Sequence, residues 1–271
     1  MKNERRERRP SPSGIFVLHY CKLFYRSLLF LAALVIYVVN RIRNTGEIFG
    51  GFEDNHGILS VIWLVFAVEM LLRFFPSSLE SMGCQKQFAR NYKPTGTDIE
   101  HVVIQSRKST LSVAAVWFAL NGAIGVLYFT KIIDAGILLL IALAYSVCDM
   151  ICILFFCPFQ TWFMKNRCCT TCRIYNWDFA MMFTPLIFVR SWYAGTLVGL
   201  SLLLLLQWEL RLHRYPERFS VRTNQCLNCA NCEEKLCHHK KQLQRFLKKN
   251  VRTMQLNGNE LFRDITGRKK R

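Results

Sequence analysis

Eight cysteines carry most of the chemistry that this sequence could perform. Cys226, Cys229, Cys232 and Cys237 share one short stretch, and Cys168, Cys169 and Cys172 form an earlier knot, preceded by Cys157. Two thiolates three residues apart in a tight turn can both reach one metal ion, with sulfur distances of about 2.3 Å. The pairs Cys169/Cys172 and Cys229/Cys232 have that spacing. Together they would close a tetrahedral four-cysteine zinc site that ties the earlier segment to the later one. His238 and His239 follow the second knot but adjoin lysines, and they read as solvated.

An iron–sulfur cluster is the rival reading. Cys226, Cys229 and Cys232 repeat at the tripod spacing of ferredoxins, whose fourth ligand is a cysteine followed by proline. Cys157-Pro158-Phe159 resembles, over those few residues, the Cys-Pro-Leu/Phe-Gly segments of membrane-anchored polyferredoxins, although the glycine and the paired full motifs are missing. The resemblance implies Cys157 as a cluster ligand. The expected cofactor is therefore an iron–sulfur cluster or zinc, set against thiols that are merely acylated or buried as small apolar residues.

Two acids form the second constellation. Glu69 and Asp149 lie inside long apolar runs, where an ionised carboxylate is costly and marks an ion or solute path by default. Glu69 has Arg73 one turn away and is expected to be neutralised by it. Asp149 has no partner in its own helix, and Cys148 and Cys152 are spaced one turn apart beside it, which makes it the stronger candidate for an intramembrane polar site. No nucleophile elbow, P-loop, dinucleotide fingerprint or His-Glu-x-x-His occurs, so nothing here points to an enzyme.

The elements that must position these residues are membrane helices. The chain is 52% hydrophobic, with apolar runs of membrane-spanning length. Spans are expected over residues 15–39, 57–75, 110–130 and 135–156, with Lys22 and Arg26 snorkelling to the headgroups from the first. Residues 179–208 are too long for one simple crossing and short for two. Charge decides between these. Residues 1–14, 76–109, 158–178 and 209–271 carry net charges of +3, +2, +2 and +10, while the connection 40–56 carries −1. Six crossings, with a hairpin near residues 191–195, put every basic segment on one side, as the positive-inside rule demands; five crossings with a long tilted last helix are the fallback.

The expectation is thus an all-α polytopic membrane protein in the plasma membrane, with both termini cytosolic. It divides into a basic N-terminus (1–14), a helical domain (15–208) with cytosolic loops 76–109 and 158–178, and a basic tail (209–271). Apart from the bilayer, the expected partners are anionic headgroups under a basic amphipathic helix at 233–254 and a protein recruited by the tail. The net charge of +18 is absorbed by topology, and without stacking or groove-reading motifs it does not indicate nucleic acid. A helix start is expected at the capping box Thr97-Asp98-Ile99-Glu100.

Overall fold

A computed structural model describes residues 14–43, 56–75, 87–96, 107–165 and 171–228. Its helices are α1 (Gly14–Arg43), α2 (His56–Phe74), α3 (Arg107–Phe129), α4 (Ala135–Leu154), α5 (Asp178–Phe183) and α6 (Trp192–Arg214). Five of these, all but α5, are long and apolar enough to cross a membrane. In a bilayer core every backbone polar group must be satisfied within the segment, and helices do this. Among the described residues there is no strand, and the fold is an all-α polytopic membrane protein. The capping box at 97–100 and the amphipathic stretch 233–254 lie outside the described residues.

Side-chain pairs fix the helix directions. At one end of the bundle, Tyr37 on α1 donates to Asp134 at the start of α4 (3.1 Å); at the other, Tyr20 packs edge-on against Phe155 (6.3 Å). The two helices are therefore antiparallel. Trp63 on α2 donates to Thr196 on α6 (2.8 Å), and Ser60 meets Tyr193 (3.3 Å), so α2 and α6 start at the same end. That end also holds the tight turn between α3 and α4, where Lys131 takes a left-handed φ of 59° and Asp134 caps Ile137 (2.9 Å). We call it the turn end, and the opposite one the loop end.

Residues 179–208 break at 189–191, just ahead of the hairpin expected near 191–195, and the first arm is not a regular α-helix. A 3-10 turn at Arg173–Trp177 runs into α5 and then into a second 3-10 turn at Thr184–Phe188. Pro185 lacks the N–H that α-helical bonding would require there, and the helix tightens. The backbone turns at 189–191, and α6 then returns antiparallel to the arm. Trp177 and Arg173 reach Glu209 near the far end of α6, both at 2.9 Å. A 3-10 residue rises about 2.0 Å against 1.5 Å for an α-residue, so the two 3-10 turns stretch this arm relative to an α-helix of the same residues, although it bends at Asn176.

The described parts of loops 76–109 and 158–178 and the start of the tail lie at the loop end. There the described part of loop 76–109 grips the start of the tail. Pro94 and Asn224 form an antiparallel bridge, the Thr95 N–H donates to the Thr223 carbonyl (3.1 Å), and the Gln225 N–H donates to that of Lys93 (2.9 Å). Phe88, Trp208, Leu212 and Phe219 make a small separate core beneath this clasp. The expected connection ran from the tail to residues 157–172. The strand-like pairing with 87–96 had no sequence signal, because two short polar segments pair mainly through backbone groups, with the side chains of Gln225 and Cys226 adding bonds to the Pro94 and Asn91 carbonyls.

Candidate functional site

Six ionisable side chains meet inside the bundle toward the loop end. Lys22 and Arg26 lie one turn apart on α1, and Glu69 and Arg73 one turn apart on α2; Asp149 comes from α4, and Asp178 opens α5. Arg26 is the hub. One of its terminal nitrogens bonds Glu69 (2.5 Å), and the other contacts Asp149 and the Ser146 carbonyl, each at 3.2 Å. Lys22 stands 3.5 Å from Glu69, and Arg73 pairs with Asp178 at 2.6 Å. The Phe179 ring lies between the two guanidinium groups, 5.8 Å from that of Arg26 and 4.4 Å from that of Arg73; Phe66 also faces Arg26 (5.4 Å).

Two expectations are corrected here. Lys22 and Arg26 do not snorkel: Arg26 is 0% exposed and Lys22 only 7%. Glu69 is paired with the two α1 cations, and Arg73, expected to neutralise it, pairs with Asp178. The physical reason is charge balance across helices. An arginine on the inward face of α1 cannot remain unpaired in a low-dielectric interior, and its planar fork of donors can bridge two carboxylates at once. Three cations then face three carboxylates, so the cluster buries no net charge. Asp178 was legible only as the polar end of a loop, and nothing in sequence placed it opposite Arg73.

A cavity of about 260 Å³ lies against this cluster. Asp149 and Asp178 contribute to its wall, and so do four thiols, those of Cys148, Cys152, Cys157 and Cys172. Most of the remaining lining is aromatic or aliphatic, with Trp117, Tyr145, Phe159 and Tyr175 providing rings. Trp117 is itself held by a hydrogen bond to Thr184 (3.2 Å) and by ring contacts to Tyr145 (4.7 Å) and Phe159 (6.0 Å). Cys148 is exposed on the outer face of α4, whereas Cys172 is buried. The Asp178 Oδ1 atom is buried without a hydrogen-bond partner.

The thiols divide by position. Helix α4 ends at Leu154, short of the expected residue 156, and the chain winds loosely there, with the Phe156 N–H reaching the Ile151 carbonyl (3.2 Å). Cys152 before this loosened turn and Cys157 after it both line the cavity. The Gln160 N–H donates to the Cys157 sulfur at 3.4 Å. Cys172 precedes the turn Arg173–Trp177, whose Arg173 carbonyl accepts from the Trp208 indole (3.0 Å). Cys226 donates its S–H to the Asn91 carbonyl (3.1 Å). Cys168, Cys169, Cys229, Cys232 and Cys237 lie outside the described residues, and among the described residues no three metal-ligating side chains are grouped.

No protein-family model matches this chain, and no curated protein or solved structure matches it either. Fold and site together define a multi-pass helical membrane protein with an internally balanced ion cluster beside a thiol-lined cavity.

Proposed function

We propose that the loop end is fastened by a structural zinc centre made by Cys169 and Cys172 from one segment and Cys229 and Cys232 from the tail. The observation that carries this reading is the shared platform at Trp208. The segment after Cys172 bonds that indole from one side, and Phe219, at the root of the tail, packs edge-on against the same ring (4.8 Å). Both knot-bearing segments thus depart from one tryptophan. The bond from Cys226 to Asn91 favours zinc over iron–sulfur, since it engages a thiol that the ferredoxin-type tripod would need.

In this reading the loop end faces the cytosol of a plasma membrane, where its basic segments satisfy the positive-inside rule and its thiols stay reduced. The tail beyond the clasp rests on anionic headgroups and offers a surface to a protein partner. Elemental analysis of purified protein, wild type beside a Cys229→Ser/Cys232→Ser variant, tests the centre. Stoichiometric zinc lost in the variant is the expected result. A visible absorbance bleached by dithionite would replace zinc with a cluster, and metal-free wild-type protein would end the proposal.

A second reading is favoured by the cavity: passage of a small solute or ion along Asp149. An acid on a cavity wall inside a membrane bundle is the usual mark of such a path. Asp149→Asn is expected to abolish uptake by proteoliposomes under this reading, and unchanged uptake would discard it.

A further inference from the structure

We propose that the turn Arg173–Trp177 couples the zinc centre to the ion cluster, so that metal held at Cys172 tightens the Arg73–Asp178 pair, with Glu209 as the residue that transmits the effect. This rests on the zinc reading of the thiols and adds a consequence of it inside the membrane bundle.

The turn stands between the two sites. Cys172 precedes its first residue and Asp178 follows its last. One carboxylate holds both of its ends. Glu209, on α6, accepts from the Trp177 indole through Oε1 and pairs with the Arg173 guanidinium through Oε2, each at 2.9 Å. On the ligand side the Cys172 carbonyl accepts the Tyr175 N–H (3.1 Å), and the Arg173 carbonyl accepts the Trp208 indole (3.0 Å). Ile174, Tyr175 and Asn176 are buried, and no glycine interrupts residues 172–178. A segment so held moves as one piece.

Its far end carries half of the ion pair. Asp178 meets Arg73 at 2.6 Å, and the next residue lays its ring 4.4 Å from the same guanidinium. The two charged side chains are only 5% and 4% exposed, so water screens them little and their attraction depends steeply on where the turn places Asp178.

The two sites therefore favour the same arrangement of the turn. Zinc fixes it through Cys172, and Arg73 fixes it through Asp178. By linkage each must strengthen the other by the same factor, which for coupled sites is usually about 5- to 150-fold. Glu209 makes the turn rigid enough to pass that effect on.

Zinc affinity of the full-length protein in nanodiscs, measured by competition with a chromophoric chelator, is the test. Asp178→Asn should weaken zinc binding about tenfold. That change takes the carboxylate from a buried guanidinium, so Asp178→Asn/Arg73→Met, which removes both charges, accompanies it and should show the same loss. In a Glu209→Ala background, Asp178→Asn should no longer alter zinc affinity. Glu209 and Arg173 are both partly exposed, at 30% and 17%, so Glu209→Ala strands no fully buried charge. Gly125→Ala, which disturbs the contact of α3 with Phe188, should bind zinc like wild type. Unchanged affinity in both Asp178 variants would overturn the coupling and leave the zinc centre standing. An equal loss with and without Glu209 would overturn the route through the turn. An equal loss in Gly125→Ala would reduce the effect to general destabilisation and overturn the coupling. Wild-type protein that binds no zinc would remove the zinc centre itself, and this inference with it.

Discussion

Replacing Arg26 with methionine tests the ion cluster most directly. The methionine fills much of the same volume but removes the shortest ion pair of Glu69, leaving Lys22 at 3.5 Å, and strips Asp149 of the Arg26 cation. It also removes the donor to the Ser146 carbonyl and the charge facing Phe66 and Phe179. Removing one partner from a buried ion pair costs about 3–5 kcal/mol, chiefly because the other charge stays buried and uncompensated. Polar contacts between membrane helices average only about 0.6 kcal/mol, so a loss near 3 kcal/mol would separate a charge effect from an ordinary hydrogen bond. For a chain of this size, about 3 kcal/mol corresponds to a melting shift of roughly 6–12 °C. The assay is thermal unfolding in detergent or bicelles, run with two companions. Arg26→Lys keeps the charge without the fork and should lose about half as much. Adding Glu69→Gln to Arg26→Met removes the excess negative charge and should recover part of the loss. A single variant within about 0.5 kcal/mol of wild type, the scatter expected of an inert surface change, would refute the view that charge balance holds these helices together.

Two further perturbations probe the packing around the site. A Cβ on Gly125 would sit 2.6 Å from the tip of the Phe188 ring, so Gly125→Ala should turn that ring aside and cost about 1 kcal/mol, read as a lowered melting temperature. Asn224, wholly buried, donates to the Arg218 carbonyl (2.9 Å) and accepts from the Cys226 N–H (3.1 Å). Asn224→Ala should cost about 1–3 kcal/mol and hasten limited proteolysis between α6 and the tail while sparing the helices.

Helical spans were readable because apolar runs of sufficient length have few other fates, and each such helix satisfies its own backbone. The hairpin near residue 190 was readable from length and charge together. Its first arm was not, since one proline inside an apolar run is compatible with a kinked α-helix as well as with the 3-10 turn that forms at Thr184–Phe188. Asp149 stood out as a lone acid in an apolar helix, and Cys148 and Cys152 were visibly its neighbours. The loosened end of α4 after Leu154 was hidden by the assumption of a regular helix to residue 156.

By itself, then, the sequence determined that this chain is an all-α membrane protein, that its basic segments favour one side, and that Glu69 and Asp149 need neutralising. Those properties follow from local composition and from helix geometry within one segment. Only the tertiary structure decided which charges meet. A buried carboxylate is compensated by whichever cation another helix brings within reach, so Arg26 serves both Glu69 and Asp149 while Arg73 turns to Asp178. The cavity against that cluster belongs to the packing in the same way: its wall is shared by several segments, and no one of them encodes it.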